Sequence, residues 1–397
     1  MFYIALKMLM GDRAKYAGLL FGIAFTSFLV TFAASYFSGI MTRGFALITE
    51  NGMADVWVMD PAVDSVEQTT NLPGWALERV RSVEGVASAV PLALGTAEAR
   101  FPNGRFQPFQ VIGVDDATLT GVPPMRNAAA PTLLRAADTV VVDPGGTSGK
   151  LETPLFATDQ WPFGKPHLSA PTRELAPGDA LLVNDHRVRV VGRSEGLPRF
   201  PPRPLMYSTL SNVVRMLPPE RRRLTFVLAT AAPGVAPRDL AARIEARTGL
   251  RARASDDFKT DTVRWFLATS EDVGDIAAML TLATSVGFGV TGVMLYMFTS
   301  ANLLQYAVLS AMGATSRLLL AMLFAQTGLC ALLGTGLGLG LCGLLGQLAV
   351  MAGYPFRMIW FTPLLGGAMV LLVSVVAAGL SARPVLKLQP VSVFAGR

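Results

Sequence analysis

Four long stretches of the chain are apolar and uninterrupted by charge: residues 16–42, 276–316, 318–356 and 358–382 contain no Asp, Glu, Lys or Arg. A helix that crosses a bilayer takes about 20 apolar residues. The pattern therefore predicts four transmembrane helices, over residues 16–43, 276–304, 318–350 and 363–380. The third is longer than a bilayer is thick, and its Gly334, Gly336, Gly338 and Gly340 let it tilt, bend or pack closely. A signal peptide is the alternative for the first stretch, but a signal h-region runs only about 7–15 residues. Ahead of it, Phe2, Ile4, Leu6 and Leu9 followed by Gly11, Asp12 and Arg13 predict an amphipathic helix within residues 1–15, lying on the inner membrane face.

Between the first two spans the pattern changes. Residues 44–272 alternate strand-like and helical runs, which predicts a large α+β domain. Strands are expected at 54–59, 86–99, 107–114, 139–142 and 224–230, with a hairpin at 180–183 and 187–192 around Asn184–His186. Helices are expected at 75–82 and 237–248, the latter leading to a strand at 250–254. Proline-rich passages at 121–131 and 198–204 read as loops, and residues 256–267 as a stalk helix running into the second span. Residues 273–382 hold the other three spans, with a short outer turn at 351–362, and residues 383–397 form a tail. The expected fold class is a membrane protein of four transmembrane α-helices with a large α+β extracytoplasmic domain between the first and second.

Composition sharpens this. The chain is 51% hydrophobic and 16% charged, which excludes a soluble globular protein. Residues 44–272 carry 25 Lys and Arg against 26 Asp and Glu, so the basic surplus lies beside the membrane and does not point to nucleic acid. Lys7, Arg13 and Lys15 precede the first span, Arg317 separates the second from the third, and Arg383, Lys387 and Arg397 follow the fourth. Positive loops mark the cytoplasmic side, so both termini are expected in the cytoplasm, with residues 44–272 outside. Cys330 and Cys342 both fall in the third span and staple nothing outside it.

Candidate chemistry is sparse. Residues 145–150 resemble a phosphate loop, but Pro144 stands where its first Gly belongs and Leu151 where Ser or Thr follows the Lys. No nucleophile triad, metal-ligand spacing or paired-carboxylate motif stands out, and His167 and His186 are too few for a histidine-rich site. The pairs Asp115-Asp116 and Asp256-Asp257 and the run Arg221-Arg222-Arg223 read as solvated surface. Asp275, at the outer end of the second span, is its one charge near a membrane interior, which disfavours an ion-driven transporter. In the first span, Gly18 and Gly22 permit close helix approach. Phe21, Phe25, Phe28 and Phe32 form a stripe beside them, which faces lipid, packs on another span or walls a transport path. This helix is expected at or near a dimer interface.

The segment Gln305-Tyr306-Ala307-Val308-Leu309-Ser310-Ala311-Met312-Gly313-Ala314-Thr315 resembles the cytoplasmic motif of the MacB/FtsX/LolC superfamily of ABC-transporter permeases, closest to its DevC-like branch. The family's usual Glu is replaced by Gln305 and its usual base by Ser310. The tail segment running from Ala382, Arg383 and Pro384 to Pro390 and Val391 resembles the family's ending, with Arg383 in place of a small residue. The resemblance implies a two-fold dimer bound to two copies of a separate ATPase subunit. That subunit uses ATP and Mg, and this chain holds no catalytic residue, metal or cofactor of its own. It also implies that ATP-driven motion is sent to the outer domain, which extrudes or extracts an amphipathic or lipid-like cargo. DevC-like relatives add a membrane-fusion protein and an outer-membrane duct. An FtsX-like signalling module, which regulates an outer enzyme without transport, is the rival. An outer domain with room for two subdomains favours export.

Within residues 305–317, Tyr306, Leu309 and Met312–Gly313 at i, i+3 and i+6/i+7 are expected to share one apolar face. With Gln305, Ser310 and Arg317 beside it, this face is expected to dock the ATPase. A plain helix cap at Gly313 is the alternative.

Overall fold

The computed structural model describes residues 7, 13–125, 131–155, 171–218 and 224–382. The expected helix at 2–10 (apart from Lys7), the tail 383–397, His167 and Arg221, Arg222 and Arg223 lie outside the described residues. Internal contacts divide the chain into two units, residues 1–40 with 271–397 and residues 41–270. The described chain opens on α1 (Arg13–Gly44).

In the second unit, α2 (Ala46–Glu50) is followed by β1 (Val56–Met59), α3 (Ala76–Arg81), β2 (Val86–Arg100), β3 (Phe106–Val114) and β4 (Thr139–Asp143). Next come β5 (Glu152–Pro154), β6 (Thr172–Glu174), β7 (Ala180–Val183), β8 (His186–Arg193), β9 (Leu205–Thr209) and α4 (Leu210–Met216). The unit closes with β10 (Phe226–Ala231), α5 (Pro237–Thr248), β11 (Arg251–Ala254) and α6 (Ser255–Thr269).

Two subdomains share the long strand β2. Its first half belongs to an antiparallel sheet in the order β11-β1-β10-β2. With α3 after β1 and α5 after β10, this is a split β–α–β–β–α–β arrangement. The two-residue period sorts its side chains. Val56, Val58, Val227 and Ala229 share a core with Val80 of α3 and Leu240 and Ile244 of α5. The alternate residues Trp57, Met59, Phe226 and Leu228 pack with Phe258 of α6.

The second half of β2 pairs with β3, and the ladder continues through β9, β4, β8 and β7. β7 returns to β2 at Ala99–Val183 and Arg100–Leu182, closing six strands into a barrel without free edges. Phe109, Val111, Val140, Leu181, Val190 and Met206 fill its core. The β7–β8 hairpin turns on Asn184 and Asp185, both at positive φ (47° and 65°), as two-residue hairpins prefer. Strand β9 went unread in the sequence because Pro201, Pro202 and Pro204 precede it; all five of its residues are buried.

The expected continuous stalk is two helices. α6 stops at Thr269, Ser270 is extended (φ −87°, ψ 125°), and α7 (Glu271–Ala301) begins anew. Ser suits that junction because its hydroxyl competes with helical hydrogen bonding and favours helix ends.

After α7 come α8 (Leu303–Ala311), α9 (Ser316–Met351) and α10 (Phe361–Ser381). Among the described residues, four helices are long and apolar enough to cross a membrane, covering Tyr16–Gly44, Val273–Ala301, Ser316–Met351 and Phe361–Ser381. The second ends three residues short of its expected limit at 304. Asn302 breaks it there: its Nδ2 donates to the Phe298 carbonyl at 2.9 Å while its backbone leaves the helical region (φ −99°, ψ 9°). At 36 residues α9 is about 54 Å long, well beyond a bilayer's hydrocarbon core.

α1 is the hub of this unit, and each other span brings a glycine to it. A Cβ on Gly287 of α7 would lie 2.4 Å from Thr26, on Gly334 of α9 2.6 Å from Ile23, and on Gly366 of α10 2.0 Å from Thr31. Hydroxyls fasten the contacts. Thr26 Oγ1 donates to the Gly287 carbonyl at 3.1 Å and lies 3.0 Å from Thr291 Oγ1, and Ser35 donates to Thr362 at 3.2 Å. Of the four expected glycines in α9, Gly334 and Gly338 face α1, whereas no atom of the described residues lies within 4 Å of a Cβ on Gly336 or Gly340.

Candidate functional site

The short helix α8 lies between two spans and is packed against α9 on one side. Tyr306 is fully buried, and its hydroxyl bonds Gln326 Oε1 of α9 at 2.8 Å. Tyr306 and Leu309 pack with Leu319 and Met322, and Leu303 and Ala314 close the cluster. The helix ends in a Schellman motif. The Ala314 amide donates to the Leu309 carbonyl and the Gly313 amide to the Ser310 carbonyl, both at 3.0 Å, with Gly313 left-handed at φ 95°.

This geometry corrects the face expected from spacing. Each i, i+3 step drifts about 60° around a helix of 3.6 residues per turn, so Met312 has left the face of Tyr306 by a third of a turn. Tyr306 and Leu309 point into the cluster on α9, and Met312 is 71% exposed. The outward stripe is Leu304, Val308 and Met312, at i, i+4 and i+8, exposed by 57%, 40% and 71%. Gln305 and Arg317 are exposed beside it, and Ser310 is half-buried. Spacing by four rather than three would have marked Leu304 and Val308 in the sequence.

The first-span candidates divide as well. A Cβ on Gly18 would sit 3.7 Å from Met294, and one on Gly22 3.3 Å from Met294 and 3.4 Å from Val290. At Gly22 the close approach is therefore made by α7 of the same chain, and at Gly18 a Cβ would meet Met294 only at ordinary contact distance. The phenylalanine stripe pairs internally, Phe21 with Phe25 (ring centroids 6.0 Å apart) and Phe28 with Phe32 (5.5 Å). Phe32 also meets Phe356 at 5.2 Å. Phe21 is 67% exposed, whereas Phe25, Phe28 and Phe32 are half-buried.

A third constellation went unread in the sequence. In the second unit the Glu50 carboxylate, at the end of α2, is buried against Arg199 and pairs with its guanidinium. Tyr207 of β9 donates to Glu50 Oε2 at 3.2 Å and accepts from Arg199 at 3.0 Å, and the Leu197 amide donates to Glu50 Oε1 at 2.5 Å. Burial pushes the Glu50 carboxyl above its ordinary pKa, against the opposing pull of Arg199 and of these hydrogen bonds. Nearby, Asp143 accepts from the Gly145 and Gly196 amides and the Ser194 hydroxyl. The loop at 145–150 thus spends its first amide on a carboxylate, as a structural turn does. Among the described residues no group of three His, Cys, Asp or Glu could hold a metal ion.

Residues 277–390 match the FtsX-like permease C-terminal family. No curated protein matches the chain. Among solved structures, the periplasmic region of MacB from Actinobacillus actinomycetemcomitans is similar at 14% identity and a TM-score of 0.36, covering 54% of this chain and 94% of that one. The extracellular domain of the ABC-type transporter YknZ from Gram-positive bacteria is similar at 14% identity and a TM-score of 0.31, covering 51% and 98%.

Proposed function

We propose that this chain is a member of the MacB/FtsX/LolC superfamily of ABC-transporter permeases, on the match of residues 277–390 to the FtsX-like permease C-terminal family, and that it is the permease subunit of an exporter, passing ATP-driven motion from a separate ATPase to its α+β domain. The observation that carries this reading is the outward stripe of Leu304, Val308 and Met312. It stands on a helix braced by a buried hydrogen bond and a glycine cap. An apolar ridge on a rigid support suits insertion into a groove of a partner. Arg317 beside it favours the cytoplasmic side, which puts both termini in the cytoplasm and residues 44–272 outside, in a bacterial inner membrane.

ATP and Mg belong in this reading to the ATPase, two copies of which serve a dimer of this chain. The dimer draws on the Phe21–Phe25 ridge. The spans meet through glycines and hydroxyls, with no charge between residues 276 and 316 or 318 and 356. That composition supports a machine that moves cargo at its outer domain rather than through a polar path in one chain. The cargo class is amphipathic or lipid-like, handed to a membrane-fusion protein and an outer-membrane duct. We assign the chain to the DevC-like branch on the Tyr306-Ala307 and Ala311-Met312-Gly313 positions alone.

The test is reconstitution with its ATPase in vesicles. ATP turnover stimulated by this chain, together with ATP-dependent release of a labelled lipid, is expected. Stimulated turnover without any release favours the signalling role, and hydrolysis by this chain alone would overturn the reading.

A further inference from the structure

Residues 194–204 run between β8 and β9 as a strap rich in proline, and they are tied at both sides. On one side the strap is fixed to the barrel. Asp143 of β4 holds Ser194 Oγ at 2.7 Å and the Gly196 amide at 2.6 Å, the Arg199 amide donates to the Gly145 carbonyl at 3.1 Å, and the Pro204 carbonyl accepts from Gln110 of β3 at 3.0 Å. On the other side it grips the two helices that lead to the membrane spans in the chain. Arg199 and the Leu197 amide hold Glu50 of α2, which begins two residues after α1 ends. Phe200 packs on Phe266 of α6, with ring centroids 5.9 Å apart, and α6 ends two residues before α7 begins. Phe266 also closes on Gly44, the last residue of α1: a Cβ there would lie 2.8 Å from its ring.

The Arg199 side chain is 3% exposed, and its Nε and Nη1 have no hydrogen-bond partner among the described residues. A buried ion pair with unmet donors is a poor way to gain stability, since apolar residues of the same size often do as well or better. Its best-attested use is to fix one arrangement of parts. Tyr207 belongs to the barrel, Glu50 to α2 and Arg199 to the strap, so this one cluster sets three elements in register.

We propose that residues 194–204 form a coupling strap that makes α2, α6 and the six-stranded barrel move as one body, with Glu50, Arg199, Tyr207 and Phe200 as its positioning residues. The proposal rests on the reading of the chain as a transmitter of motion. It adds where that motion crosses into the barrel, from which helices and through which side chains.

The experiment uses the full chain in nanodiscs, with Cys330 and Cys342 replaced by Ala. Spin labels are placed at Met53, 80% exposed just beyond α2, and at Phe106, 58% exposed at the start of β3. Distances are measured by double electron–electron resonance with and without the ATPase and ATP. With the strap intact, one narrow distance is expected, unchanged by ATP. Arg199→Met should broaden it severalfold even without ATPase, whereas Arg199→Lys, which keeps a charge on Glu50, should stay narrow. If Arg199→Met does not fold, Phe200→Ala cuts the aromatic tie alone and should broaden the distribution less. Distances in Arg199→Met or Phe200→Ala identical to the parent, or a parent distance that changes with ATP, would overturn the strap. Failure of the transmitter reading shows separately, as an ATPase whose turnover ignores the chain, while the measurement without ATPase still decides the strap.

Discussion

Replacing Leu304, Val308 and Met312 together by Ser removes the docking stripe and leaves the Tyr306–Leu309 cluster untouched. Fully burying such a side chain is worth about 2 kcal/mol. Scaled by the exposed fractions of 57%, 40% and 71%, covering all three with a partner contributes about 3 kcal/mol, or roughly two decades in Kd. Association recovers buried area incompletely, so a loss of about 10- to 100-fold in affinity is expected. The assay titrates purified ATPase subunit onto the full chain in nanodiscs, with the melting temperature of each variant as a control. The control is what separates this variant from Leu309→Asp. Leu309 is 7% exposed in the cluster on α9, so a charge there would disrupt the support of the helix and its docking at once. An affinity within twofold of the parent, with the triple variant folded, would refute the assignment of the docking face.

Gly366→Val and Gly334→Val drive atoms into Thr31 and Ile23 and should destabilise the chain by about 1–3 kcal/mol, read as a lower melting temperature in detergent. Gly336→Val and Gly340→Val should change it little. A cysteine at Phe21 should crosslink between protomers in membranes, and cysteines at Gly18 or Gly22 should not; equal crosslinking at all three would count against the helix-packing assignment. Burial raises the Asp179 carboxyl, but the Arg173 hydrogen bonds, the Ala176 amide and the Arg173 charge outweigh it and hold the group below its ordinary pKa. A depressed carboxylate contributes stability above its unfolded pKa and loses it as pH falls through the folded one. Arg173→Met should therefore speed hydrogen exchange around β6 and β7 at pH 7, and the difference from the parent should vanish well below pH 4.

The spans were legible because a bilayer demands a long uncharged run, and the sheet strands because a short apolar run such as Val56–Met59, or an apolar/polar alternation such as Arg187-Val188-Arg189-Val190, is a local signal. The α8 cap was legible in the same way, since Gly313 is the residue a left-handed helix end calls for. What stayed hidden is non-local. Gly18 and Gly22 announce a close neighbour without saying that it is Met294 of the same chain. Glu50 and Arg199 are far apart in sequence and look like two surface charges until the barrel brings them together. β9 lay behind prolines that belong to the strap, and the α8 face turned on whether apolar residues are counted in threes or fours.

In the proposed machine the outward face of α8 meets an ATPase on the cytoplasmic side. A photocrosslinking amino acid at Met312, activated in intact membranes holding both subunits, tests it most directly. Docking through this face should give an adduct with the ATPase that is lost when the probe sits instead at buried Leu319 of α9. Adducts with lipid alone, or with a protein on the outer side of the membrane, would contradict it.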